Sequence, residues 1–142
     1  MTRLTRSTRI REIKRNWHLV DAEGKILGRM ATEIAVLLIG KTKKYFVSHL
    51  DCGDHVVVIN CAKVTVSGKK QTQKLYQLYS GYPGGLKKKS FIQTMRENPE
   101  RIINQAVSGM LPNNKLRQSM LKRLYVFTGD SHPYTEKFKG VQ

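Results

Sequence analysis

Leu27, Met30, Ala31, Ile34, Ala35 and Leu38 recur at the three- and four-residue spacing of one helical face, and Gly40 follows where a left-handed C-cap would stop the helix. The Trp17-His18-Leu19-Val20 segment ahead of it has the pattern of a short strand, closed by the turn residues Asp21-Ala22-Glu23-Gly24. Behind it, His55-Val56-Val57-Val58-Ile59-Asn60 is a continuous β-branched run, the pattern of a strand covered on both faces. Strand, helix and buried strand in that order predict a right-handed βαβ crossover and an α/β fold.

Downstream, Val64-Thr65-Val66 and Leu75-Tyr76-Gln77-Leu78-Tyr79 are short strand candidates separated by Ser67-Gly68-Lys69-Lys70. Tyr82-Pro83-Gly84-Gly85 breaks the chain. Ser90 with Gln93 forms a capping-box pattern for a helix through Arg96, and Asn98-Pro99 supplies an N-cap and an N1 proline for a second helix ending near Gly109. A third helix is predicted after Asn114, with Leu116, Met120 and Leu121 as its apolar side. A final strand over Leu124 to Thr128 and a polar tail complete the pattern. No internal repeat is present, and one domain over residues 17–142 is expected.

Residues 1–16 do not fit this pattern. Arg3, Arg6, Arg9, Arg11, Lys14 and Arg15 stand there against the single acid Glu12, with few apolar residues, so the segment cannot bury enough surface to fold alone. It reads as a basic arm that orders on a partner. An organelle-targeting peptide has a similar composition, but the segment is short for one.

Charge extends the argument to the whole chain. Lys and Arg number 26 against 10 Asp and Glu, a formal +16 on 142 residues. Such an excess repels itself unless a polyanion neutralises it, and release of condensed counterions from a phosphate backbone would drive that binding. The charge is also segregated. Residues 17–40 hold two cations against three acids and residues 45–62 hold none against two, whereas residues 41–44 carry three cations and residues 63–89 seven, with no acid among them. No apolar run approaches the roughly 18 residues of a membrane span, and the N-terminus has no apolar stretch of the secretory kind. A soluble intracellular protein in a reducing compartment is expected, because Cys52 and Cys61 have neither a second pair nor a histidine at zinc-ligand spacing.

Motifs that resemble catalytic chemistry fail on spacing or context. Gly40-Lys41-Thr42 looks like the end of a phosphate-binding loop, but Ala35 stands where its first glycine is needed, and the triplet follows a helix instead of opening one. Asp51 and Asp54 suggest a magnesium site for a nucleic-acid-processing enzyme, yet no third acid lies nearby in sequence. Ser48-His49 beside Asp51 is no triad, since adjacency does not place such groups. His18 and His55, within strands, read as packing residues, whereas His49 and His132 have basic or aromatic neighbours suited to phosphate or base contact. No metal or cofactor is expected.

The cationic clusters are the stronger signal. Lys41, Lys43 and Lys44 precede Tyr45 after a helix end; Lys63, Lys69, Lys70 and Lys74 surround a strand pair; Lys87, Lys88 and Lys89 follow the Gly-Gly turn; Lys115, Arg117, Lys122 and Arg123 line a short helix. Glycines beside lysines let backbone approach phosphate, and Tyr45, Tyr76, Tyr79 and Tyr82 offer rings to unpaired bases. No RNA-recognition aromatic signature, KH loop or zinc finger is present, which points to recognition of shape and backbone in folded RNA.

The segments from Asp54 to Val64, Ser67-Gly68-Lys69-Lys70, Ser80 to Lys87 and Ala106 to Pro112, together with Val20-Asp21-Ala22 and Leu27-Gly28-Arg29, resemble in content and order the bacterial-type large-subunit ribosomal protein thirteen family. The resemblance covers residues 16–133. It implies a three-layer α/β/α domain on a small, mainly parallel four-stranded sheet, bound to large-subunit ribosomal RNA and neighbouring ribosomal proteins, acting early in subunit assembly. It implies no catalysis, no cofactor, no membrane and no small-molecule substrate, and a place in a cytoplasmic or organellar ribosome. By motif position the RNA-facing loops are Lys41–His49, Gly68–Lys74, Gly81–Lys89 and Met110–Arg117. The chain departs from the family pattern at Leu50-Asp51-Cys52-Gly53-Asp54, at Asn113-Asn114, where a cation is lost, and at Tyr134. The rivals are the magnesium-dependent enzyme using Asp51 and Asp54 and a non-ribosomal basic protein that binds polyanions generally.

Overall fold

The computed structural model describes residues 7–138, so the expected contacts of Arg3 and Arg6 lie outside the described residues. Strand β1 (Trp17–Asp21), helix α1 (Leu27–Ile39) and strand β2 (His55–Ile59) form the anticipated βαβ unit, and β1 pairs with β2 in parallel from Trp17↔His55 to Asp21↔Ile59. Short helix α2 (Lys70–Gln73) leads into β3 (Leu75–Tyr79) and β4 (Leu86–Ser90). Helices α3 (Phe91–Glu97), α4 (Pro99–Met110) and α5 (Leu116–Leu121) precede β5 (Leu124–Val126), which lies parallel to β2 on the side away from β1. A last turn of helix, α6 (Thr135–Phe138), ends the described chain.

The central position of β2 explains its composition. Val56, Val57 and Val58 are wholly buried because strands flank it on both sides and side chains cover both faces. On one face Val56 and Val58 join Val20 and Leu124 against the apolar stripe of α1 and against Ile102, Ile103 and Val107 of α4. On the other, Trp17 stacks on His55 with ring centroids 4.3 Å apart. Tyr134 and Phe138 close over Trp17 from the C-terminal segment, at 5.2 and 6.3 Å.

Local signals position the helices. Gly40 ends α1 at φ 82°, in the left-handed region read from the sequence, and its amide donates to the Val36 carbonyl. The Ser90 hydroxyl accepts from the Gln93 amide at 3.2 Å, and the Asn98 carboxamide accepts from the Arg101 amide at 3.3 Å, so both predicted N-caps are made.

Three features differ from expectation. The parallel sheet has three strands: Val64-Thr65-Val66 contributes only a single parallel bridge, Thr65 to Ile26, because a 3-10 turn over Cys61–Lys63 leaves too little chain to extend a ladder. The lysine run at residues 87–89 lies within β4, where pairing with β3 overrides the low strand propensity of lysine; these two strands form a separate antiparallel hairpin. The polar tail folds back as α6, anchored by two aromatic rings too few to register as a periodic pattern.

One glycine fixes the loop before β2. A Cβ on Gly53 would stand 1.6 Å from the Leu38 carbonyl oxygen and 2.8 Å from an Arg123 guanidinium nitrogen. Gly53→Ala should therefore destabilise the domain by about 3 kcal/mol and lower its thermal midpoint by about 10 °C, since neither backbone can yield. Gly109→Ala, where a Cβ meets nothing within 4 Å, serves as the control and should leave the midpoint unchanged or raised in the same calorimetric scan.

Candidate nucleic-acid interface

Beneath the C-terminal end of α1, the 51–54 loop turns two carboxylates inward. Asp54 is 2% exposed. It accepts from the Asn16 amide and from His18 Nε2, each at 2.9 Å, and forms an ion pair with Lys43. Lys43 Nζ also donates to the Lys14 and Cys52 carbonyls at 2.6 and 2.8 Å. Burial pushes the Asp54 carboxyl up, but hydrogen bonds from Lys43, the Asn16 amide and His18 outweigh it, and its pKa lies below the ordinary carboxylate value.

Asp51 takes both terminal nitrogens of Arg123, with Arg15 at 3.8 Å from one of its oxygens. Arg123 reaches on to the Asp54 and Leu38 carbonyls, both at 3.3 Å, while Arg15 donates to the Gly53 and Asp51 carbonyls at 2.8 and 3.2 Å. The Asp54 amide meets the Leu37 carbonyl at 3.1 Å. Two of the carbonyls left free where α1 ends are thus satisfied by this loop and by a cation that also suits the helix dipole.

This geometry removes the carboxylates from metal chemistry. Each is saturated by cations of the chain itself, and among the described residues no three His, Cys, Asp or Glu side chains gather as metal ligands. It also bears on three expected RNA contacts. Arg123 is buried and Lys43 largely buried, so their charge faces inward, while the more exposed Arg15 is held on loop carbonyls.

Other candidate residues are committed in part. Tyr45 clasps residues 8–14: its hydroxyl donates to the Lys14 carbonyl at 3.0 Å and accepts from the Lys14 amide at 3.2 Å, and its carbonyl accepts from Thr8 at 2.8 Å. Lys74 lies over the Tyr76 ring, 5.4 Å from its centroid. Lys89 pairs with Glu97, and Lys63 with Glu23 at 2.7 Å. Arg117 donates to the Ser108 carbonyl and hydroxyl at 2.6 and 2.8 Å. His132 packs between Phe127 and Phe138.

The remaining cations are exposed at separate places. Lys41 and Lys44 flank the end of α1, Lys69 and Lys70 open α2, Lys87 and Lys88 stand on β4, and Lys115 and Lys122 bracket α5. Arg9, Arg11 and His49 line a shallow groove of about 520 Å³ between residues 8–11 and the 48–50 loop. Tyr82, 75% exposed, tops the turn between β3 and β4. Segment charge marked these surfaces in the sequence. The inward role of Asp51 and Asp54 was not marked, because Arg15, Asn16, His18 and Arg123 lie 36 to 72 residues away from them.

The low pKa of Asp54 has a measurable consequence. Its contribution to stability is complete above the unfolded carboxyl pKa of about 4 and is lost as pH falls through the depressed folded value. Asp54→Asn should cost about 3 kcal/mol at neutral pH by leaving Lys43 unpaired. Urea midpoints measured from pH 6 down to pH 3 should fall less steeply for the variant than for the unaltered chain. Parallel profiles would assign the acid sensitivity to other groups.

The model of the family described as Ribosomal protein L13 matches residues 15–133. A protein of Nitratiruptor sp. named "Large ribosomal subunit protein uL13" is 47% identical over 138 residues, covering 97% of this chain and 99% of that one. Proteins of the same name from Clostridioides difficile and Prochlorococcus marinus are 54% and 55% identical, over 87% and 86% of this chain and 86% and 85% of their own lengths. These relatives are named as ribosomal proteins and not as enzymes, which agrees with carboxylates spent on the fold. The matched residues run from Arg15 through the whole α/β unit and its loops, and the chain belongs to the ribosomal protein L13 family.

Proposed function

We propose that this chain is a structural component of the large ribosomal subunit that binds and stabilises large-subunit ribosomal RNA and acts early in subunit assembly. The observation that carries the reading is the separation of its charge. Exposed lysines stand in groups on different loops, short helices and one strand of a neutral to acidic α/β scaffold, an arrangement suited to phosphates of several converging RNA segments. Arg9, Arg11, Lys41, Lys44 and His49 would form one contact region, Lys69 and Lys70 a second, Lys87 with Tyr82 a third, and Lys115 with Lys122 a fourth. Lys43 and Arg123 support this surface from within.

Each group is then a phosphate contact that releases counterions. Lys69→Ala combined with Lys70→Ala should weaken binding to a large-subunit RNA transcript and lower the slope of log K against log salt by up to about 2, with the thermal midpoint unchanged. Lys43→Ala should do the reverse, lowering the midpoint with little change of slope. An unchanged slope in the double variant would take α2 out of the interface. At the level of the particle, tagged protein should sediment with the large subunit and leave that fraction after ribonuclease treatment.

A further inference from the structure

We propose that the outer face of the β3–β4 hairpin docks a neighbouring large-subunit protein that meets it with an apolar patch carrying a carboxylate. The setting rests on the ribosomal reading above; the surface and the partner's chemistry come from the hairpin itself. Its antiparallel register sets Tyr79 opposite Leu86, Gln77 opposite Lys88 and Leu75 opposite Ser90, so strand alternation puts Leu75, Tyr79 and Leu86 on one face with Gln77, Lys88 and Ser90. Leu75 is 51% exposed, Tyr79 67% and Leu86 49%. The opposite face turns Tyr76, only 5% exposed, into the core and carries Lys87, Lys89 and the 39% exposed Leu78.

A strand pair with one free face ordinarily shows polar residues to water, whereas here the free face shows three large apolar side chains beside Gln77 and Lys88. RNA is a poor match for it. Leu75 and Leu86 offer no donor to phosphate and no ring to a base, Tyr79 is the single ring on this face, and the cations of the lysine run are divided so that only Lys88 lies on this side. A second copy is also a poor match, since a two-fold contact would oppose Lys88 to Lys88 between chains of formal charge +16. A different protein with a carboxylate opposite Lys88 satisfies both the apolar area and the charge, because a desolvated lysine left unpaired would oppose docking.

The test places a photoreactive benzoyl-phenylalanine at Leu86 of the full chain, and in a separate variant at Lys87 on the opposite face. Both chains are assembled into large subunits in cells, purified by sedimentation and irradiated. The Leu86 position should yield a ribonuclease-resistant adduct to another large-subunit protein, mapped to a segment containing Asp or Glu, while the Lys87 position should not yield that adduct. Lys88→Glu in the Leu86 chain should reduce its yield roughly tenfold. From the Leu86 position, an adduct to RNA, an adduct to a second copy, the absence of any adduct, or a yield indifferent to Lys88→Glu would each overturn the proposal. Failure of the chain to enter the large-subunit fraction is a separate result that overturns the ribosomal reading instead. The same group at Tyr79, an aromatic position 67% exposed, provides the measurement where position 86 does not accept it.

Discussion

The ion-pair network around Asp51 and Asp54 joins four stretches of chain: residues 14–18, the loop that follows α1, the 51–54 loop and the junction of α5 with β5. Taking such charges out of water is expensive, and the network holds because nearly every donor and acceptor in it is matched. Lys43 gives its hydrogens to two carbonyls besides Asp54, and Arg123 spreads its guanidinium over Asp51 and three carbonyls. Net attraction in an ion pair of this kind is modest, but removing one member strands the others. The network therefore contributes geometry more than stability: it sets where the chain enters β1 and where α1 releases it.

That geometry decides what the surface can do. A domain with formal charge +16 opposes its own compaction, and the opposition is least where cations are either neutralised inside or spread apart outside. Lys43 and Arg123 take the first course, and Lys41, Lys44, Lys69, Lys70 and Lys115 the second. A rigid core then holds the exposed groups at fixed separations before any polyanion arrives, so less conformational entropy is lost when several contacts form together.

The elements most legible in the sequence were those whose cause is local. α1 showed its face by spacing and its end by Gly40, β2 its double burial by an unbroken β-branched run, and α4 its start by Asn98-Pro99. The elements that stayed hidden depend on partners far along the chain. Nothing in Lys87-Lys88-Lys89 favours a strand until Tyr76 and its neighbours are laid beside it, and Tyr134 and Phe138 have no visible purpose until Trp17 is brought against them. The site divides the same way: segment charge located its cationic loops, whereas the sorting of individual cations into internal and external required the fold.

That sorting changes the meaning of a cationic cluster. Lys41-Thr42-Lys43-Lys44 contains three lysines, of which the middle one is an internal counterion. In Lys87-Lys88-Lys89 strand alternation sends successive side chains to opposite faces, and Lys89 is paired with Glu97, so the run is not one patch of charge +3. Lys115 to Arg123 likewise holds two exposed cations and two held by protein acceptors. An interface estimated by counting lysines and arginines would thus be too large in every cluster. The surplus is the part of the charge that gives the remaining cations fixed positions, so Asp51 and Asp54 help to set the cationic surface from inside the fold.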